Sequence, residues 1–362
     1  MPSTISRFRP PPTQSSIPHP ALSCIEICAG AGGQSLGLER AGFSHDVLVE
    51  IDADACATLR ANRPNWTVLQ ADLRTVNADD ISGMSSTVGL LAGGVPCPPF
   101  SLAGRQLGAA DDRDLFPEVL RLMAQIRPRV LLIENVKGLL QARFDAYRTE
   151  IISELSVLGY MAEWRLLRAC DFGVPQLRPR AVLIAMPAPL FAAFSWPTAQ
   201  TSDEAFATVG QVLYESMASG GWELAESWAA GANQIAPTLC GGSRRHGGPD
   251  LGPSRARQAW ARLGVQGSSI ANSPPGPGDQ LPVRLTVDQM ALLQGFPAAW
   301  RITGTKTARY RQVGNAFPPP VAAALGRSIA AVLIAEDSAA SRPLPISRQR
   351  SSQPSLLHGA PV

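Results

Sequence analysis

Imidazole and sulfur are scarce in this chain. Its four histidines, at 19, 45, 246 and 358, do not cluster near its six cysteines, at 24, 28, 56, 97, 170 and 240. The cysteines repeat no spacing, so neither a zinc site nor a disulfide framework is expected, no metal is called for, and a reducing cytoplasm suits them. Charge is sparse as well. Only 17% of residues are charged and the net charge is +3, a mildly basic balance that permits a nucleic-acid partner without requiring one. The opening "MPSTISRFRPPPTQSSIPHP" has no apolar core of the kind a secretion signal needs. The apolar stretches at 181–194 and 321–335 are broken by proline or by Arg327 and read as too short to span a bilayer. A soluble, cytoplasmic protein with no membrane partner is expected.

What is present is mostly apolar: 45% of 362 residues are hydrophobic, enough for two or three domains. Residues 1–20, with six prolines, and residues 336–362, rich in Ser, Pro and Arg, read as a disordered leader and tail. Between them, strand-like runs at 22–29, 46–52, 67–72, 89–94, 129–135, 162–169 and 181–186 alternate with helical patterns at 33–42, 53–63, 114–127 and 144–160. Near-continuous apolar strands separated by helices predict an α/β fold, a doubly wound, mostly parallel sheet over residues 21–186. From 187 to 283 the chain turns to Pro, Gly, Ser and Ala and predicts a second, smaller, loop-rich domain. Helical patterning resumes at 284–297 and 309–335, so residues 284–335 are expected to return to the first domain.

"EICAGAGG" (26–33) ends a strand and opens a helix, which frees backbone amides and lets a ligand approach the main chain. Glu50 and Asp52 follow Gly30 by 20 and 22 residues, the spacing of an acid that bonds ribose hydroxyls at a sheet edge. The third glycine of the dinucleotide fingerprint would fall at Ser35, so that fingerprint is incomplete and a plain tight turn stays open. Asp72, at the tip of the third strand, is either another acid at that edge or a helix N-cap.

"GGVPCPPFS" (93–101) sets Cys97 among Pro96, Pro98 and Pro99. Prolines fix φ and lack a donor, so this thiol sits on a stiff bend at a strand end, where α/β sheets bind ligands. Nucleophilic catalysis is the sharper reading of Cys97, whereas Cys24, Cys56 and Cys170 read as small buried hydrophobes. "ENV" (134–136) brings Glu134 to the same edge, and "PQLRPR" (175–180) brings Arg178 and Arg180, two apart and so on one face of an extended segment. Glu134 alone could equally cap a helix or pair with an arginine. Thiol, carboxylate and paired guanidiniums together suit a flat polar ring that is attacked covalently while its nitrogens and oxygen are held.

These pieces resemble the bacterial-type cytosine-5 DNA methyltransferases. The matching segments are "EICAGAGGQSLGLERAGF", "VEID", "AD" at 71–72, "GGVPCPPFS", "ENV", "DFGVPQLRPR", "RLTVDQMALLQGFP" and "VGNAFPPPVA", in family order and spanning 22–335 apart from the irregular insert. The resemblance implies a Rossmann-like methyltransferase fold. It also implies transfer of a methyl group from S-adenosylmethionine to C5 of a cytosine flipped out of a specific double-stranded DNA sequence, in restriction–modification. Cys97 would attack C6, Glu134 would hold N3 and the exocyclic amine, and Arg178 and Arg180 would contact the base and support its pocket. Gly30, Gly32 and Gly33 would line the methionine side of the cofactor, Glu50 the ribose and Asp72 the adenine. Cys28, Ile51, Leu73, Pro96 and Asn315 would complete that site. Ser101 and Arg105 would reach DNA from a mobile lid at 100–114, and Arg244, Arg245, Arg255 and Arg257 from a target-recognition region at 187–283. The chain departs from the family at Cys28, where many members stack a Phe on the adenine, and at Pro98, often Gln.

The implied enzyme works as a monomer, with a possible cognate restriction endonuclease acting on the same site without an obligatory complex. Within the family, a transfer RNA substrate is an alternative. A catalytically inactive nucleoside- or DNA-binding module would have lost some of Cys97, Glu134, Arg178 and Arg180, and all four are present. A nicotinamide dehydrogenase fits poorly with Ser35 and without a placed histidine.

Overall fold

The computed structural model describes residues 22–81, 87–96, 114–200, 206–242, 248 and 250–341. Seven strands form one sheet: β1 (Leu22–Ile27), β2 (Phe43–Glu50), β3 (Val68–Gln70), β4 (Leu90–Gly94), β5 (Val130–Val136), β6 (Tyr160–Arg168) and β7 (Pro179–Pro187). They lie in the order β3-β2-β1-β4-β5-β7-β6. Every pairing from β3 to β5 is parallel, and β7 alone runs against its neighbours. The expected doubly wound α/β sheet is therefore present.

Side chains leave the strands with a period of two, and both faces are apolar. Cys24, Leu90, Ala92, Leu132, Val182 and Ile184 enter one core; Ile25, Ile27, Leu91, Leu131, Ile133 and Leu183 enter the other. Helix α1 (Gly33–Arg40) follows β1, α2 (Ala53–Asn62) follows β2, and the short α3 (Ala78–Ile81) precedes β4. Helices α4 (Phe116–Ile126) and α5 (Asp145–Val157) cover the second face through Val119, Leu122, Ile151 and Leu155.

The first face is covered from the far end of the chain. Helix α12 (Pro319–Ala340) starts on Pro318, Pro319 and Pro320, which suit an N-terminus because no amide there needs an intrahelical partner. It packs against α1 at small residues. A Cβ on Gly37 would stand 2.5 Å from Ala322 Cβ, and one on Gly326 would stand 2.6 Å from Ala41 Cβ. At its far end Arg129, just ahead of β5, pairs with Glu336 and Asp337 at 2.5 and 2.9 Å. The 321–335 stretch, expected to be too short to span a bilayer, thus belongs to a 22-residue helix. By length and composition alone the helical stretch Lys306–Ala340 could cross a membrane, contrary to that expectation, but 72% of its most apolar part is buried inside the protein.

Residues 187–283 contain more regular structure than their composition suggests. Helices α6 (Ala188–Ala193), α7 (Val209–Ala218), α8 (Ala225–Gly231) and α9 (Ser254–Ala261) fall here. α7 is announced by a capping box in which Thr208 and Gln211 satisfy each other's backbone amides. Leu190 of α6 joins the sheet core. Val209, Leu213, Trp228, Trp260 and Val265 build a third core together with Met290 and Leu293 of α10 (Val287–Leu293), Tyr310 and Val313 of α11 (Lys306–Asn315), and Leu36 of α1. Helices α10 and α11 therefore pack with the 207–285 segment, and α12 with the sheet.

Candidate active site

The loop between β1 and α1 turns through three left-handed residues, Cys28 (φ 51°), Gly30 (φ 54°) and Gly32 (φ 80°). The glycines serve different purposes. A Cβ on Gly32 would meet Leu59 and Trp300 at 2.7 and 2.9 Å, and one on Gly33 would lie 2.2 Å from the Phe317 carbonyl oxygen. Those two are demanded by packing. Around Gly30 a Cβ would meet nothing within 4 Å, so the space beside its backbone is open.

Glu50, at the end of β2, closes this loop. Its Oε2 accepts the Gly30 amide and its Oε1 the Asp52 amide, both at 2.7 Å. Burial pushes the carboxyl up, and the amides of Asp52 and Gly30 pull against that rise. Next to it Ile51 is 62% exposed, an apolar side chain left in the open at a strand end. Asp72 does both things the sequence left open. It caps the turn Leu73–Thr75 by accepting the Arg74 amide at 3.1 Å, and it stands at the same edge, paired with the Arg74 guanidinium at 3.0 Å. Leu73 is buried beneath it. The Cys28 thiol is driven well up by burial, then by Glu50 and Asp72, so it is a neutral wall rather than a nucleophile.

One strand further on, β4 ends at Gly94 opposite Glu134 of β5. Val95 is buried, and its carbonyl accepts from Asn135 Nδ2 at 3.5 Å; Pro96 is exposed. Cys97, Ser101 and Arg105, with the expected lid at 100–114 up to residue 113, lie outside the described residues. So do Arg244 and Arg245.

Glu134 is buried and receives Arg180 Nε at 2.6 Å. Its carboxyl is pushed up by burial, opposed by Arg180 and Arg178. Burial and the guanidinium thus pull this carboxyl in opposite directions, and both act at the position where it would meet a polar ring.

Arg178 takes a different place from Arg180. It is 1% exposed and donates to the carbonyls of Leu239 (2.8 Å), Gly314 (2.9 Å) and Ala316 (2.7 Å). It is therefore a strut between β7, the 239–242 loop and the end of α11, not an open base contact. Two glutamines that the sequence reading passed over complete that strut. Gln176 donates to Gln294 Oε1 at 2.6 Å and accepts the Leu239 amide at 2.8 Å, while Gln294 donates to the carbonyls of Val313 and Ala316. Their signal was available, since both lie inside segments quoted for other residues.

Asn315 ends α11 and donates to the Gly242 carbonyl at 3.2 Å. Arg255 and Arg257 are exposed on α9. Two apart on a helix, they diverge by about 200° rather than forming one face. Among the described residues no group of His, Cys, Asp and Glu could hold a metal ion.

The chain is similar to known proteins. The family model described as C-5 cytosine-specific DNA methylase matches residues 22–331. The Type II methyltransferase M.NaeI of Lentzea aerocolonigenes is 52% identical over 319 residues, covering 86% of this chain and 76% of that protein. M.NgoMIV of Neisseria gonorrhoeae, also a Type II methyltransferase, is 46% identical, covering 87% of this chain and 99% of that one. Among solved structures, the Entamoeba histolytica methyltransferase EhMeth superposes with a TM-score of 0.62 at 15% identity, covering 87% and 99% of the two chains, a likeness of fold.

Proposed function

Because this chain belongs to the C-5 cytosine-specific DNA methylase family, we propose that its strand-end cleft holds S-adenosylmethionine beside a cytosine lifted out of duplex DNA. The protein is a DNA cytosine-5-methyltransferase of the Type II, restriction–modification kind.

The loop and strand ends fit the methyl donor. The open space at Gly30 would admit its methionine end, the Glu50 carboxylate would hold the ribose, and Ile51 with Asp72 and Cys28 would border the adenine. When bound, that group supplies an electrophilic methyl on sulfonium. Pro96 and Asn315 would complete its surroundings.

Cytosine C5 is a poor nucleophile until a neighbouring carbon is saturated. The Cys97 thiolate adds to C6, and the electron pair so released moves to C5. Glu134 steadies the ring by hydrogen bonding at N3 and the exocyclic amine, with Arg180 fixing its carboxyl. After methylation the C5 proton is lost to a base and the C6–S bond breaks, returning the thiolate. Unstacking the target base costs a few kcal/mol, which DNA contacts offset. Arg255 and Arg257, with Arg244 and Arg245, Ser101 and Arg105, supply such contacts, and the 187–283 segment reads the target. An inactive DNA-binding module is not favoured, since the chemical groups are retained.

The observation that carries this reading is Glu134, buried at the end of β5, bonded to Arg180 and opposite the strand that leads to Cys97. The test is expression in a methylation-free host followed by bisulfite sequencing. Methylated cytosines within one short sequence are expected; an unmethylated genome refutes the reading. The protein acts in the cytoplasm as a monomer, and a cognate endonuclease would share its target sequence without a lasting complex.

A further inference from the structure

Helix α11 touches the cofactor edge and the root of a recognition segment at once. Midway along it Arg311 donates from Nη2 to Asp52 Oδ2 at 3.1 Å, both side chains being more than four-fifths buried. Asp52 is no bystander at that edge. Its amide donates to Glu50 Oε1 at 2.7 Å, and its Oδ1 caps α2 by accepting the Asp54 amide at 2.9 Å. Glu50 in turn grips the Gly30 amide. The chain of contacts runs from the open glycine, through two carboxylates, to Arg311.

From the same turn of helix a second contact departs. A Cβ on Gly241 would lie 2.4 Å from the Arg311 carbonyl oxygen and 2.7 Å from Asn315 Oδ1, and one on Gly314 would lie 2.3 Å from the Gly241 amide nitrogen. Backbone thus rests on backbone with no side chain to cushion it, and Asn315 adds a bond to the Gly242 carbonyl. Gly242 leads directly into the segment that carries Arg244 and Arg245. Packed interiors transmit displacement rather than absorb it.

We infer that Arg311 is a positioning residue through which occupation of the Glu50 edge and DNA engagement by the Gly241–Gly242 loop strengthen each other. This rests on the function proposed above. Such coupling is reciprocal: whatever factor DNA adds to cofactor affinity, the cofactor adds to DNA affinity.

The experiment measures binding of S-adenosylhomocysteine to the full chain with and without a duplex bearing the target sequence, read from the bisulfite experiment. In the wild type the duplex is expected to tighten binding by about fivefold or more, the usual lower bound for coupled sites. In Arg311→Gln the ratio is expected to fall to within about twofold of unity. Asp52→Asn, which keeps the helix cap, should match it, the double variant should lose nothing further, and Arg311→Lys should restore most of the ratio. A merely structural Arg311 would lower thermal stability and weaken binding equally with and without DNA. An unchanged ratio in Arg311→Gln overturns the inference, as does a wild type that methylates DNA yet shows no coupling. A genome left unmethylated by the wild type removes the functional reading and the inference with it, so the two failures are told apart.

Discussion

Arg180 reaches diagonally across the antiparallel β5–β7 pair. It sits opposite Val136, two residues beyond the register position of Glu134, and places its Nε 2.6 Å from the Glu134 carboxylate. Diagonal neighbours on one face of a sheet are within reach of a long side chain, so the pairing follows from register. Burial raises the Glu134 carboxyl and Arg180 restrains it. In Arg180→Gln that restraint is lost and the carboxyl rises further. Since a raised carboxyl favours the folded state at low pH and loses that support as pH climbs through its folded value, the variant should be destabilised most in alkali. Leaving a buried charge unpaired costs about 3–5 kcal/mol. Denaturant unfolding at pH 5.5 and 8.5 checks this; an equal loss at both would contradict it.

Cys97→Ala is expected to abolish methyl transfer while leaving the fold and DNA binding intact. Duplexes with 5-fluorocytosine at the target should become covalently linked to the wild type in the presence of the methyl donor and never to the variant. Turnover retained by the variant would remove Cys97 as nucleophile.

Beneath the glycine loop lies a buried pair, Glu26 Oε2 and His45 Nδ1, 3.8 Å apart. Burial pushes the Glu26 carboxyl up to about 8 and lowers His45, so near pH 7 both are mostly neutral and the contact is not an ion pair. The fold gains from protonated Glu26 below the ordinary carboxylate value and loses that gain as pH rises through about 8. Glu26→Gln should therefore be more stable than the wild type at pH 9, with the advantage shrinking toward pH 5. Thermal melts across that range are the measurement, and an advantage independent of pH would count against it.

Gly30 and Gly33 separate binding from packing. Gly30→Ala adds a methyl into open space at a left-handed φ, a strain of about 1–2 kcal/mol, and should weaken S-adenosylhomocysteine binding far more than it lowers the melting temperature. Gly33→Ala drives a methyl into the Phe317 carbonyl and should lower the melting temperature first. A calorimetric titration beside a melt for each variant distinguishes them.

Arg178→Met removes the donor to three buried carbonyls, of which Ala316 keeps a bond from Gln294. At about 1–3 kcal/mol for each carbonyl left unsatisfied, a loss of roughly 3 kcal/mol is expected in denaturant unfolding. A variant as stable as the wild type would return Arg178 to the base pocket.

The sheet was legible because its strands are apolar on both faces and punctuated by glycine, and Glu50, Asp72 and Glu134 were legible because they sit at strand ends. Arg178 was not. Its alternation with Arg180 put both on one face of an extended segment, but Arg178 precedes β7 with a left-handed φ of 21° and turns to other partners; which carbonyls meet its guanidinium depends on the 239–242 loop and α11, distant in sequence. Gln176, Gln294 and Arg311 were hidden for the same reason, since a polar side chain acquires its meaning only when the backbone groups it must satisfy are assembled around it. The helices of 187–283 escaped notice because short segments rich in Ala and Gly show little periodicity, although the Thr208–Gln211 capping pair was there to be read.

The clamp of Arg129 on Glu336 and Asp337 has a topological corollary. It fastens the last helix beside the strands' starting ends, the rim where β1 also begins, while the chemistry occupies the opposite rim. A short peptide joining Leu22 to Ser341 would make the described body nearly a closed loop, and fresh termini could then be opened at an exposed turn such as Gly159 without disturbing the opposite rim.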